Sequence, residues 1–245
     1  MRIVATVEAR MRSTRLPGKV LKPILGRPML ALMIERLRRV RQVEEIVIAT
    51  TDNPADEPIV DLARQLAVRW YCGSEEDVLD RVLMAGQFVN ADLLVETTGD
   101  CPLIDPGVID QLIATFRSNP LDYCSNVLSR TYPRGMDAQV FPLAILGQVA
   151  KLTRDPVDRE HVSLYIYEHP ERFRLANLAS GFPPEVADLR LTVDTPEDLA
   201  LVEQVYQELY PSNPGFTLQD ILALFERRPE LRMVNEHIRQ KVSRC

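Results

Sequence analysis

The chain is 245 residues long, 46% hydrophobic, 26% charged and 6% aromatic, with a formal net charge of −6. That length buries roughly 70% or more of the unfolded surface, so a core forms without a disulfide or metal staple, and the composition excludes disordered, collagen-like and low-complexity classes. The acidic total disfavours a general nucleic-acid binder, no apolar run approaches the ~18 residues of a membrane span, and Cys72, Cys101, Cys124 and Cys245 form neither a CxxC pair nor a tight disulfide framework.

Taken in order, Ile3–Val7 is a short β-branched run of the kind that makes a buried parallel strand. The opening residues carry charge too early for the apolar segment of a signal peptide, and a reducing cytoplasm is the expected compartment. Arg10–Lys19 is polar and punctuated by Gly and Pro, so a loop follows the strand. Met29–Val40 predicts a helix with Leu30, Met33, Ile34, Leu37 and Val40 on one stripe. Ile46–Thr50 reads as a second buried strand, Pro58–Ala67 as a helix and Val68–Tyr71 as a shorter strand. Asp77–Phe88 is helical, Asp92–Thr97 a strand and Pro106–Phe116 helical again. Beyond Asp122 the rhythm loosens, with strands expected at Tyr123–Val127, Ala138–Phe141, Phe173–Leu178 and Leu189–Val193. Helices are expected at Leu143–Leu152, Glu160–Glu168, Pro196–Leu209 and Leu218–Arg227. Strands and helices alternating at this spacing imply βαβ units and a largely parallel sheet flanked by helices, in one α/β domain over residues 1–245.

Ligands of open α/β sheets bind beyond the carboxyl ends of the strands, where the strand order reverses. The loops after the first and fourth strands are therefore the places to search. Between Ala9 and Ile34 lie Arg10, Arg12, Arg15, Lys19, Lys22 and Arg27 without one Asp or Glu. Guanidinium forks, a lysine, Ser13, Thr14 and backbone amides freed by Gly18 are equipment for phosphate oxygens. This is no Walker A loop, since Ser13 stands at the first glycine position and Val20 where Ser or Thr belongs.

The second loop, Thr98-Gly-Asp-Cys-Pro-Leu103, places Asp100 in a tight turn after a strand. Asp194 follows another apolar run, just before a helix that Thr195 suits as N-cap and Pro196 opens. Two carboxylates at strand ends beside a triphosphate suit Mg²⁺, which takes one or two carboxylates plus phosphate oxygens and water. Glu197 and Asp198 are expected to complement the helix dipole, and Cys101 to be a small packed thiol. There is no HExxH spacing, no GxSxG elbow and no Asp-x-Asp triad, so metalloprotease, serine hydrolase and metal-dependent glycosyltransferase readings find no support.

The stretch Ala9-Arg-Met-Arg-Ser-Thr-Arg-Leu-Pro-Gly-Lys-Val-Leu21 resembles the sugar-activating cytidylyltransferases, among them 3-deoxy-manno-octulosonate and acylneuraminate cytidylyltransferases. The nearest likeness is to the spore-coat polysaccharide biosynthesis branch. Gly73–Arg81, Thr98–Asp105, Asp158–His161, Thr192–Leu199 and the segment from Pro229 to Lys241 continue the resemblance over almost the whole chain. It implies a Rossmann-like nucleotidyltransferase fold, a homodimer, CTP and Mg²⁺ as nucleotide and cofactor, and a CMP-sugar as product. Carried over by motif, Arg10 and Lys19 hold the triphosphate, Ser13 and Arg15 shape that loop, and Gly73 and Ser74 lie near the cytosine. Asp100 and Asp194 are the implied metal ligands, with Arg10, Lys19 and Asp100 the catalytic set. The sugar pocket is expected to draw on the Tyr132–Gln139 stretch, notably Gln139, and on Arg159 and His161, arginines that suit an anionic sugar acid.

The sequence also departs from that pattern. Glu8 stands where Gln is usual, Arg12 where Gly or Ala is usual, Glu96 where the near branch often has Arg, and Gln139 where an acid is common. These substitutions motivate a second expectation, a weakened paralogue acting as a nucleotide-binding or assembly subunit.

Overall fold

The computed structural model describes residues 1–240, so Lys241 and Cys245 lie outside the described residues. In chain order the elements are β1 (Ile3–Glu8), the short hairpin strands β2 (Pro23–Ile24) and β3 (Arg27–Pro28), α1 (Met29–Leu37), β4 (Glu45–Thr51), α2 (Glu57–Gln65), β5 (Arg69–Gly73), α3 (Val78–Phe88), β6 (Leu93–Thr98) and α4 (Pro106–Arg117). Then come β7 (Tyr123–Ser125), β8 (Gln139–Pro142), α5 (Leu143–Leu152), α6 (Pro156–Glu160), α7 (Leu164–Glu168), β9 (Leu175–Asn177), α8 (Pro196–Leu209) and α9 (Leu218–Arg227).

Among the described residues one seven-stranded sheet runs β5-β4-β1-β6-β8-β7-β9. β1 pairs in parallel with β4 and β6, and β4 with β5. β8 is antiparallel to both neighbours, because no crossover helix separates it from β7 and a parallel return needs one. Successive residues of a strand face opposite sides, so β1 feeds two cores. Ile3, Ala5 and Val7 pack with α1, α4, α8 and α9 residues, whereas Val4 packs with residues of α3, α5 and α7. Each fully buried Val, Leu or Ile contributes on the order of 1.5–3 kcal/mol.

Helix starts follow their capping residues. Asp77 caps α3 and Asp105 caps α4, with Pro106 opening it. Thr195 and Asp198 form a reciprocal capping box on α8, as Thr217 and Asp220 do on α9.

Two expected elements differ. Glu160–Glu168 is two short helices rather than one, because the chain turns at His161–Ser163 with Val162 at φ +48°, a conformation β-branched residues rarely adopt. Leu189–Val193 is extended yet forms no strand. It is threaded between two turns, with Leu191 N–H donating to Arg134 O (2.7 Å) and Val193 N–H to Asp100 O (2.8 Å). Its alternation is real, Leu191 and Val193 being buried, but its partners are turns and offer no ladder.

Candidate active site

The strand order reverses at β1, since the chain moves outward to β4 and β5 and then crosses back to β6. The connections after β1 and β6 therefore diverge, opening a crevice at those strands' carboxyl ends. The loop after β1 is folded on itself: the amides of Ser13 and Gly18 both donate to Met11 O, at 3.1 and 2.8 Å. Met11 N–H donates to Asp56 Oδ1 (2.7 Å), which pins the loop to the start of α2. Gly18, at φ +68°, turns the chain into a single 3₁₀ turn that begins at Lys19.

That turn carries the Lys19 ammonium to the centre of the crevice. Nζ donates to Asp100 Oδ2 (2.9 Å), Asp194 Oδ1 (2.8 Å) and Val193 O (2.8 Å). Asp194 Oδ2 accepts from Arg15 Nη2 (2.8 Å) and Arg190 Nη2 (2.7 Å). Asp100 Oδ1 accepts from the Thr98 hydroxyl (2.6 Å). Burial pushes the Asp194 carboxyl up, but Lys19, Arg15 and Arg190 more than offset it and hold it below the ordinary value. Burial likewise pulls Lys19 down, and the two aspartates more than restore it, so the amine stays charged. Asp100 and Asp194 thus reach one cation together, the donor arrangement a divalent ion shared with phosphate oxygens requires. Among the described residues no group of three or more His, Cys, Asp or Glu side chains could hold a metal by itself.

The remaining residues expected at the nucleotide sit around this centre in different ways. Arg10 is exposed, with no hydrogen bond among the described residues, and Ser13 accepts weakly from Leu16 N–H (3.4 Å). Gly73 ends β5, and Ser74 accepts from Asp77 N–H (3.0 Å) and, at its carbonyl, from Arg81. A Cβ on Gly73 would lie 3.0 Å from the Tyr71 ring and 3.2 Å from Arg81 Cγ. Arg12 reaches Glu75 (3.4 Å), which also accepts from Asn53 (3.0 Å), tying the Gly73–Asp77 turn to the cationic loop.

A cavity of about 150 Å³ adjoins the centre through Thr98, and Gln139, His161, Glu8, Glu96, Glu160 and Ser163 are among its lining residues. The register aligns Thr6 with Glu96 and Glu8 with Thr98, so both glutamates share one face of adjacent strands. Their carboxyl groups meet in a hydrogen bond, Glu96 donating to Glu8. Burial pushes Glu8 up to about 7, with the bond from Glu96 and the charges of Arg81 and Arg10 limiting the rise, and pushes Glu96 well above the usual carboxylate range. Gln139, opposite Glu96, accepts from the hydroxyls of Tyr123 and Ser163. Arg159 does not line the cavity. It pairs with Asp77, Nε to Oδ2 at 3.0 Å, and donates to Ala150 O (3.1 Å), fastening α6 to the start of α3. The arginines expected to grip an acid are therefore not in its wall.

Sequence reasoning did not single out Arg190, which is 7% exposed and bridges Asp194 to Asp198, nor Thr98 and Ser163. Arg190 sits in the apolar stretch taken for a strand, and only its four-residue spacing to Asp194 hinted at a partner.

The family described as Cytidylyltransferase matches residues 4–214 of the chain. The chain belongs to the cytidylyltransferase family. It is 30% identical over 233 residues to the spore coat polysaccharide biosynthesis protein SpsF of Bacillus subtilis, covering 93% of this chain and 95% of that protein. It is also 30% identical over 244 residues to the 3-deoxy-manno-octulosonate cytidylyltransferase of Geobacter metallireducens, covering 81% of this chain and 95% of that enzyme. Among solved structures, a cytidylyltransferase from Leptospira borgpetersenii superposes with a TM-score of 0.90 at 30% identity, covering 99% of both chains. Every group around Lys19 in this member of the family falls within the matched span, as do Glu8, Glu96 and the cavity they line. None of its described helices is long and apolar enough to cross a membrane.

Proposed function

We propose that the chain transfers CMP from CTP to a sugar hydroxyl, giving a CMP-sugar and pyrophosphate. The observation that carries this reading is the Lys19 ammonium shared between Asp100 and Asp194 beneath a cationic loop, at the reversal point of a sheet of this family. Arg10, Ser13, Arg15 and Lys19 bind the triphosphate, and Gly73 and Ser74 border the base. Asp100 and Asp194 would hold the divalent ion, magnesium by expectation, which when bound supplies Lewis acidity at the phosphates. The sugar hydroxyl attacks the α-phosphorus in line, and the bond to the β-phosphate's bridging oxygen breaks. Lys19 and Arg10 neutralise the charge that accumulates on departing pyrophosphate, since such reactions depend on positioning and charge neutralisation. Asp194, held ionised by three cations, keeps Lys19 and Arg15 aimed at one place. The likeness to SpsF supports a product destined for surface polysaccharide.

The test is pyrophosphate release from CTP with Mg²⁺ over a panel of acceptor sugars, comparing the native chain with Asp100→Asn. Metal-dependent release that the variant abolishes, with its cooperative melting retained, is the expected result. Full activity of the variant would remove Asp100 from the mechanism, and tight CTP binding without turnover on any acceptor would replace the enzyme with a nucleotide-binding subunit.

A further inference from the structure

The cavity beside the reaction centre has the wrong charge for the acid expected there. Glu8, Glu96 and the exposed Glu160 are among its lining residues together with His161, and no Lys or Arg is among them. Glu96 is only 3% exposed. Apart from their mutual hydrogen bond, Glu8 Oε1 and Glu96 Oε2 have no partner among the described residues. The groups facing the pair are unequal. Arg81 from α3 and Arg10 from the loop act on Glu8, with Asp100 opposing them, whereas Glu96 faces Glu8, the Ser163 hydroxyl and the Tyr123 phenol, none of them a cation. Glu96 keeps the proton that it donates to Glu8, so the negative charge the pair can carry rests on Glu8; the Tyr123 hydroxyl is donated to Gln139, and the Ser163 hydroxyl lies between Gln139 and Glu96. One oxygen of each carboxyl group is thus left as an unsatisfied acceptor. An ammonium brings three donors and a positive charge, whereas a sugar carboxylate would bring further acceptors and a negative charge to a wall already lined by carboxyl groups.

We infer that the acceptor enters this cavity through an ammonium group held by Glu96 and Glu8, so that the sugar taken is an amino sugar rather than a sugar acid. This rests on the proposed CMP transfer. Thr98 joins the two regions, lining the cavity and donating to Asp100, so an amine anchored at Glu96 leaves the sugar's hydroxyls facing the nucleotide.

The experiment is calorimetric titration of the full chain, loaded with α,β-methylene CTP and Mg²⁺, with glucosamine, glucose and 3-deoxy-manno-octulosonate. Glucosamine is expected to bind about 10-fold or more tightly than glucose, as a charge-assisted hydrogen bond warrants, and the octulosonate weakest. Glu8→Gln, which removes the member of the pair that carries the charge and is shown to be folded by cooperative melting, should bring glucosamine to within about 3-fold of glucose, the charge-assisted advantage being lost. Octulosonate binding equal to or tighter than glucosamine, absence of glucosamine binding, or an unchanged preference in the variant would each overturn the inference while leaving CMP transfer standing. Failure of the native chain to bind the CTP analogue would instead overturn the transfer reading, and the inference with it.

Discussion

Lys19 is a charged amine with a side chain only 12% exposed, and two carboxylates and a carbonyl account for its three donors. Removing it leaves Asp100 and Asp194 facing each other and takes one cation from the phosphates, so the loss falls on the chemical step. Lys19→Met is expected to lower turnover on the order of 100- to 1000-fold, by analogy with deletion of an oxyanion donor, measured as pyrophosphate release at saturating CTP. A loss below about ten-fold would place Lys19 outside the transition state. The two aspartates were legible from sequence because each comes just after an apolar strand-like run, and Lys19 because it sits in a cationic loop free of Asp and Glu. The Glu8–Glu96 contact was not, although both were noticed as departures. Their meeting depends on the alignment of Thr6 with Glu96 across two strands 90 residues apart, which neither strand's own pattern encodes. The pairing of Arg159 is hidden for a similar reason: Asp77, its partner, lies 82 residues away.

Among the elements, the extended segment at Leu189–Val193 matters most, because it delivers Asp194 without belonging to the sheet. The alternation of Leu191 and Val193 correctly marked which side chains are buried and wrongly implied a ladder. The pairing partner of a strand lies elsewhere in the chain, so alternation alone cannot distinguish a strand from a stretch wedged between turns. Gly135 makes the wedge. It sits at φ +99°, and a Cβ there would lie 2.4 Å from the Leu191 carbonyl carbon and 2.6 Å from Thr192 N. Gly135→Ala is therefore expected to destabilise the fold by about 2–4 kcal/mol, combining left-handed strain with backbone overlap. Pushing residues 190–194 outward also moves Asp194 and Arg190 away from Lys19, so kcat should fall more than the unfolded fraction explains. Denaturant unfolding and turnover on the same preparation would test this, and a variant with native kcat would show that Asp194 tolerates the shift. Helix boundaries were read more closely than strands. Leu143–Leu152, Pro196–Leu209 and Leu218–Arg227 match their expected ranges, since Pro142, Thr195 and Thr217 mark their starts locally. The Glu160–Glu168 break at Val162 carries no such mark.

At the scale of the whole molecule, the buried pair writes itself into the pH dependence of stability. Glu8 titrates at about 7 in the fold against an ordinary 4.5, so the folded state retains a proton that the unfolded chain has released. Stability from this group is fully present below about pH 4.5 and declines as pH rises towards 7, because the unfolded state binds fewer protons across that interval. Glu96, pushed well above its ordinary value by burial and by Glu8, acts in the same sense. Asp194 acts in the opposite sense at the acid end: its folded value lies below 3.8, so its contribution is present above that pH and disappears only as pH falls further. The interval between pH 5 and 8 therefore isolates the glutamate pair. Glu8→Gln keeps the shape and the hydrogen bond from Glu96 while removing the titration of Glu8. Relative to the native chain, the variant should gain stability between pH 5 and pH 8, by up to about 3 kcal/mol from a shift of this size. Urea unfolding at the two pH values measures the difference directly. Parallel native and variant curves would mean that Glu8 is solvated like an ordinary surface carboxylate, and the acidic wall assigned to the acceptor cavity would lose its proton-sharing floor.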